Sequence, residues 1–199
     1  MTRRAALILA ITLTIGGMLA GRAATQPDPF AFIPAGGKTL LLRVVASAPA
    51  RAELVGLLSA KKTPAEWSTF LTGRAQAMPV LGKMTESQRA TLASYLSVVA
   101  PMKDSDLPKA ADAAAWSKLL PPDGRDLVLN KCQNCHIVTV VVTQEKDARG
   151  WRGLLQTPNH TGILTTDAQQ EMLGQYLAIN APIPIERIPP PLRAGGASY

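Results

Sequence analysis

Apolar residues towards the C-terminal end of the chain recur at the three- and four-residue spacing of an α-helix. The four residues from Thr166 to Gln169 precede them with the sequence of a capping box, which predicts the first turn of a helix. Asn180-Ala181-Pro182 follows them and predicts the end of that helix. The apolar positions between these signals are Met172, Leu173, Tyr176, Leu177 and Ile179.

Two more helices are predicted upstream of this one. Asp123 is a suitable cap for a helix whose body runs from Gly124 to Lys131 and has an apolar side. The segment from Trp151 to Leu155 is a short helix candidate between the two longer ones. Because the predicted elements are helices, the expected fold class is all-α.

The first half of the chain repeats these landmarks. Ile33 to Leu42 reads like Leu120 to Leu129 at an offset of 87 residues, and the sequence around Trp67 reads like that around Trp151 at an offset of 84. A capping box, a Leu-x-x-Tyr-Leu sequence and an Ala-Pro pair then recur at an offset of 81. Ordered landmarks with a slowly drifting offset indicate an internal duplication.

The N-terminus has the sequence of an export signal. Met1 to Arg4 is positively charged, residues 5–20 are apolar, and Gly21-Arg22-Ala23 offers a small-x-small cleavage site, which together predict a signal peptide over residues 1–23. A retained membrane anchor is the alternative, although a span needs roughly 20 residues. Cleavage would remove three arginines and no acidic residue, so the net charge would fall from +7 to +4. No Lys/Arg run exceeds two residues and aromatics make up 5%, which argues against a nucleic-acid partner.

Both cysteines and one of the two histidines fall in a single pentapeptide, Cys132-Gln133-Asn134-Cys135-His136. This is the attachment sequence of c-type haem, because two thiols at this spacing reach both vinyl groups of one porphyrin edge and the adjacent histidine reaches the iron. A disulfide within the motif would constrain little, and a redox CxxC is expected in a βαβ setting. A zinc site would need two more ligands, and the remaining histidine is His160. We therefore expect one covalent haem c held by Cys132 and Cys135, with His136 as proximal ligand.

Around this motif the chain resembles the class I c-type cytochromes. Their first helix carries a glycine eight residues and a hydrophobic residue four residues before the first cysteine, and Gly124 and Val128 stand at those positions. Their last helix carries Leu-x-x-Tyr, which Leu173 and Tyr176 match. The resemblance covers residues 119 to about 183 and implies that the glycine lets the first and last helices cross closely.

The sequence departs from this family at the distal ligand, which is usually a methionine on the loop before the last helix. That loop, residues 156–164, lacks methionine but contains His160. We expect His160 to be the second iron ligand; Met172 or an open sixth position is the alternative. The resemblance also implies that Trp151 packs beside the haem and reaches a propionate, unless it is an ordinary core tryptophan. The β-branched run 137–142 is expected to line the haem edge or to form a buried extended loop.

The first copy resembles a cytochrome module without its haem motif, because Val45, Ala48 and Pro49 stand where the second copy has its two thiols and histidine. The predicted organisation is a signal peptide (1–23), a haemless cytochrome c-like module (27–102), a linker (103–118), a haem-binding module (119–186) and a Pro-rich tail (187–199).

These features predict a periplasmic monohaem cytochrome that passes single electrons to or from a periplasmic oxidoreductase. It would not itself be an enzyme, and it would touch a membrane only if the signal segment were retained. The tandem arrangement resembles small dihaem cytochromes and the cytochrome subunits of periplasmic dehydrogenases. The alternatives are a haem-based sensor with an open or exchangeable sixth position and a structural cytochrome subunit of a dehydrogenase complex.

Overall fold

A computed structural model describes residues 28–47, 49–109, 112–164 and 166–193. Within these ranges the secondary structure is entirely helical, which confirms the all-α fold class. No helix in these ranges is long and apolar enough to cross a membrane. The predicted signal peptide lies outside the described residues.

The helices are short, and the two longest have 14 residues each. The α-helices are α1 (Gly37–Ala46), α2 (Arg51–Gly56), α3 (Pro64–Gly73), α4 (Pro79–Gly82), α5 (Glu86–Val99), α6 (Ala113–Leu119), α7 (Gly124–Asn130), α8 (Val138–Val142), α9 (Ala148–Leu155), α10 (Pro158–Thr161) and α11 (Asp167–Asn180). Single 3₁₀ turns cover Asp104–Asp106, Cys132–Asn134, Ile185–Arg187 and Pro190–Leu192.

Side-chain caps begin the helices that the sequence predicted. The Asp123 carboxylate accepts a hydrogen bond from the backbone N–H of Asp126 at 3.0 Å and so caps α7. The Thr166 hydroxyl accepts one from the N–H of Gln169 at 3.2 Å and caps α11. Each cap satisfies a backbone donor that has no partner inside its helix.

Helices α5 and α11 lie at the centre of the fold and pack against each other. Helix α5 also packs against α1 and α3, while α11 packs against α7 and α9. The buried apolar residues of both halves form one core cluster. The two central helices therefore join the N-terminal and C-terminal halves into one hydrophobic core.

A glycine allows close helix contact in each half. A Cβ atom built on Gly37 of α1 would lie 2.1 Å from the Cβ of Tyr95 on α5. A Cβ atom built on Gly124 of α7 would lie at the same distance, 2.1 Å, from the Cβ of Tyr176 on α11. Neither position has room for a side chain.

Each of these two tyrosines donates a hydrogen bond to the other half of the chain. The Tyr95 hydroxyl donates to the carbonyl of Pro121 at 2.9 Å, and the Tyr176 hydroxyl donates to the carbonyl of Pro34 at 2.6 Å. Since each tyrosine bonds to the segment that precedes the first helix of the other half, each half fixes a helix start in its neighbour.

Asp123 adds a third link between the halves. Besides capping α7, its carboxylate accepts a hydrogen bond from the backbone N–H of Lys38 in the first turn of α1, at 2.9 Å. Burial raises the pKa of this carboxyl, and the backbone hydrogen bonds from both helices oppose that rise. One side chain therefore supports the first turns of two helices that are 85 residues apart in sequence.

The C-terminal segment folds back onto α8. The N–H of Ile183 donates to the carbonyl of Val142 at 2.8 Å, and the Thr139 hydroxyl donates to the carbonyl of Leu192. Ile188 between them is buried. The β-branched run is thus a short helix held by the C-terminal segment, which differs from the extended loop considered from sequence.

Candidate functional site

A cavity of about 460 Å³ opens among the helices of the C-terminal half. Its volume falls in the usual range of roughly 300–1,000 Å³ for small-molecule and cofactor sites. Its walls are mainly apolar, and the two cysteines and both histidines of the chain lie among them. The lining residues lie in or directly beside the first 3₁₀ turn after α7 and helices α8, α9, α10 and α11: Lys131, Cys132, Cys135, His136, Val140, Val141, Gln144, Trp151, Leu154, Leu155, Asn159, His160, Ile163, Leu164, Leu173 and Leu177.

The cysteine motif is presented on a tight turn directly after α7. The N–H of His136 donates to the carbonyl of Cys132 at 3.0 Å, and the N–H of Cys135 donates to the same carbonyl at 3.3 Å. Cys132 is partly buried and packs against the core, whereas Cys135 and His136 are exposed. The turn thus places both thiols and the imidazole at one wall of the cavity.

The imidazoles of His136 and His160 lie close together. Their ring centres are 6.5 Å apart and their planes are inclined by 34°. Imidazole nitrogens bind metals at about 2.0–2.1 Å, so two nitrogens on opposite sides of one metal ion are about 4 Å apart. Each ring centre lies about one ring radius farther out, and the observed separation therefore leaves room for a single metal ion between the rings.

His160 is held by a side chain for which the sequence interpretation gave no role. Its Nδ1 atom is 2.8 Å from the hydroxyl of Thr157, which in turn donates to the carbonyl of Leu154 at 2.8 Å. Thr157 precedes Pro158, the first residue of α10, and His160 lies in that helix. A threonine three residues before a histidine could have indicated this contact, since Thr hydroxyls often bond to groups a few residues away.

Trp151 is buried in α9 and lines the cavity. Among the described residues, its indole N–H and that of Trp67 are the buried side-chain N or O atoms that lack a hydrogen-bond partner. A buried unpaired donor is costly, which makes the Trp151 N–H suited to an acceptor on a molecule bound in the cavity. Lys146 lies 5.7 Å from the Trp151 ring, while Arg152 pairs with Glu171 at 2.9 Å.

Met172, the alternative iron ligand, occupies a different place. It is buried in α11 and is not among the residues that line the cavity. Leu173 and Leu177 of the same helix form the wall instead. This position fits core packing, the role expected of a flexible apolar side chain within a helix.

The region that the predicted 87-residue offset aligns with the cavity lining has different chemistry. Leu54 in α2 corresponds to Val141 in α8 at the 87-residue offset, and Leu57 corresponds to Gln144; both leucines are buried. A second cavity of about 420 Å³ lies beside Pro49 and Met78. Its described lining contains neither a thiol nor an imidazole.

Burial changes the acidity of one motif thiol. The apolar surroundings raise the pKa of Cys132 to about 11, and the neighbouring Cys135 adds to the rise. Since the thiolate is the reactive form, a thiol with this pKa is a poor redox nucleophile at neutral pH. The environment of Cys132 therefore does not support a thiol–disulfide exchange role.

Alkylation of the haem-free chain tests this environment. With a pKa of about 11, Cys132 is only about one part in a thousand thiolate at pH 8. We expect iodoacetamide to modify exposed Cys135 first, and modification of Cys132 to accelerate steadily as the pH is raised towards 11. Peptide mass spectrometry measures both rates, with single Cys→Ala variants as controls. Faster modification of Cys132 than of Cys135 at pH 8 would contradict the buried environment and raised pKa of Cys132.

No protein-family model, curated protein or solved structure matches the chain. Within the described residues, no group of three or more His, Cys, Asp or Glu side chains could hold a metal ion by itself. The function is therefore inferred from the chemistry of the site.

Proposed function

We propose that the chain is an exported monohaem c-type cytochrome that carries single electrons. The observation that carries the proposal is the pair of imidazoles of His136 and His160, 6.5 Å apart, in the same cavity as Cys132 and Cys135. An apolar cavity with two thiols at one wall and two imidazoles suits a flat, covalently attached macrocycle with a central metal. Trp151 contributes an unpaired N–H that suits a carboxylate of the same cofactor.

The arrangement of the ligands favours haem over a bare metal ion. Structural zinc sites take four protein ligands. Cys132, Cys135, His136 and His160 all line the cavity, but no three of the described Cys, His, Asp or Glu side chains are grouped so that they could hold a metal ion. A metal already held by four porphyrin nitrogens needs only two more ligands. His136 and His160 supply two, and the thiols remain available for attachment.

The bound haem would supply an iron that cycles between the ferric and ferrous states. His136 and His160 would hold its iron, and Cys132 and Cys135 would attach it to the chain. With both imidazoles bound to the iron, no position would remain on it for a substrate. Such a site transfers electrons and does not make or break substrate bonds, so the partner would be a separate periplasmic oxidoreductase.

The N-terminal half is proposed to be a second cytochrome-like module that serves as scaffold. Gly37 and Tyr95 repeat the contact of Gly124 and Tyr176, which supports a tandem duplication. Leu54 and Leu57 add apolar bulk at positions that line the cavity in the other half. This half would therefore stabilise the haem-binding half without binding haem, and residues 1–23 would direct the protein to the periplasm.

Absorption and EPR spectra of the purified full chain, expressed with haem-attachment machinery, test the proposal. We expect one covalent haem per chain in a low-spin ferric state, with a midpoint potential below that of His/Met cytochromes, because methionine raises the potential. His160→Ala is expected to shift the iron to high spin. Met172→Leu is the matched control because it exchanges the other candidate ligand at nearly constant volume.

Four results would overturn parts of this assignment. A chain that leaves the export pathway without haem contradicts the function itself. A His160→Ala variant that stays low spin excludes His160 as ligand, and loss of the low-spin signal in Met172→Leu assigns that role to Met172. Rapid binding of carbon monoxide to the reduced wild-type protein would favour the sensor alternative.

A further inference from the structure

The hydroxyl of Thr157 has two neighbours but only one proton. It lies 2.8 Å from the carbonyl oxygen of Leu154 and 2.8 Å from Nδ1 of His160. A carbonyl oxygen can only accept, so the hydroxyl proton is directed to Leu154. The remaining contact is then a hydrogen bond in which the His160 ring donates its Nδ1–H to the Thr157 oxygen.

This hydrogen bond determines the tautomer of the ring. A neutral imidazole carries one N–H and one lone pair, and the bond made by one nitrogen decides which nitrogen is free for a metal. With Nδ1 protonated, the lone pair is on Nε2, at the other side of the ring. A backbone hydrogen bond holds the two residues in one turn, since the N–H of His160 donates to the carbonyl of Thr157 at 2.9 Å.

We propose that Thr157 is a positioning residue that holds His160 as its Nδ1–H tautomer and so presents Nε2 to the iron. This inference rests on the proposed haem function. It adds Thr157, which lies outside the motif from Cys132 to His136, to the residues that would hold the haem. Partners that bond to the second nitrogen of a metal-bound histidine fix the ring and raise its basicity, and their loss commonly weakens metal binding on the order of 10- to 100-fold. Thr157 would thus determine how firmly His160 binds the iron.

The chain offers a clean substitution for this test. The Thr157 side chain makes no capping hydrogen bond to α10, so Thr157→Val leaves the start of that helix unchanged. It removes the contacts of the hydroxyl to His160 and to the carbonyl of Leu154. Thr157→Ser restores a hydroxyl. Thr161→Val is the matched control, because Thr161 lies in α10 beside His160 and its hydroxyl, among the described residues, bonds to the carbonyl of Pro158 at 3.3 Å.

The first measurement uses the haem-free full chain labelled with ¹⁵N at its two histidines. Ring nitrogen shifts identify the protonated nitrogen, and His136→Ala assigns the signals. The wild type, Thr157→Ser and Thr161→Val are expected to show His160 protonated at Nδ1, whereas Thr157→Val loses that preference. A wild-type His160 protonated at Nε2 overturns the proposal.

The second measurement uses the haem-loaded chain. We expect Thr157→Val to bind carbon monoxide at the reduced iron about 10-fold faster than the wild type, because its distal ligand dissociates more readily. Its midpoint potential is expected to rise, and Thr157→Ser and Thr161→Val are expected to stay near wild type. Unchanged kinetics and potential in Thr157→Val overturn the proposal, as do equal effects of Thr157→Val and Thr157→Ser. A wild-type chain that attaches no haem overturns the proposed function and the ligand role, whatever the tautomer.

Discussion

Replacing Cys132 and Cys135 together by alanine is expected to abolish covalent haem attachment completely. These are the only two cysteines of the chain, and both line the cavity that contains the two histidines. Without them no thioether can form at any other position. Haem staining of a denaturing gel and the intact mass of the chain measure the loss, since both detect only haem that survives denaturation.

The single variants separate attachment from folding. Cys135 is exposed, so Cys135→Ala is expected to change the stability of the haem-free chain by less than about 0.5 kcal/mol. Cys132 packs against the core, and its truncation is expected to cost more. If a Cys135→Ala chain unfolds like the wild type but loses haem, the loss reflects the missing thiol and not a folding defect. A double variant that keeps denaturation-resistant haem would contradict the attachment site.

The local structure was largely predictable from the sequence. Side-chain caps at Asp123 and Thr166 and the Ala-Pro stop after α11 are local signals, and the helices begin and end close to where those signals stand. The cysteines and histidines of the cavity were predictable for a related reason. The motif places three of them within five positions, and His160 is the one other histidine.

The remaining features depend on contacts between distant residues. Nothing near Asp123 indicates that its carboxylate also supports α1, 85 residues away. The run from Val138 to Val142 has β-branched residues that disfavour a helix by a few tenths of a kcal/mol each. Burial of Val138, Val141 and Val142 on one side of α8, together with the hydrogen bonds that join α8 to the C-terminal segment, outweighs that preference. Tertiary packing therefore determines the conformation of α8, and helix propensity alone could not predict it.

Gly124→Ala is expected to be the most destabilising single methyl addition in the C-terminal half. The added Cβ would lie 2.1 Å from the Cβ and 2.4 Å from the Cγ of Tyr176, so α7 and α11 would have to separate. Ordinary overpacking costs roughly 1–3 kcal/mol, and we expect a loss at or above the upper end. That is a large part of a total stability of roughly 5–15 kcal/mol. A loss of about 3 kcal/mol corresponds to a fall in Tm of roughly 6–12 °C for a chain of this size.

Gly153→Ala is the matched control for this substitution. Gly153 lies inside α9, and a Cβ there would meet nothing within 4 Å, so alanine is expected to stabilise the chain by up to about 1 kcal/mol through helix propensity. Thermal and urea unfolding of both variants measures the two effects. Equal stabilities of Gly124→Ala and the wild type would mean that α7 and α11 do not cross at this distance.

A second substitution identifies the atom responsible for the clash. If the tyrosine ring were the obstacle, Tyr176→Ala would restore the stability lost in Gly124→Ala. The closest contact is the Tyr176 Cβ, which alanine retains, so the double variant is expected to stay destabilised. It should be less stable than either single variant, because it also loses the hydrogen bond from Tyr176 to Pro34. Gly37→Ala is expected to behave like Gly124→Ala, since its Cβ would meet the Cβ of Tyr95 at the same 2.1 Å. A large loss at Gly124 with none at Gly37 would contradict the equivalence of the two halves.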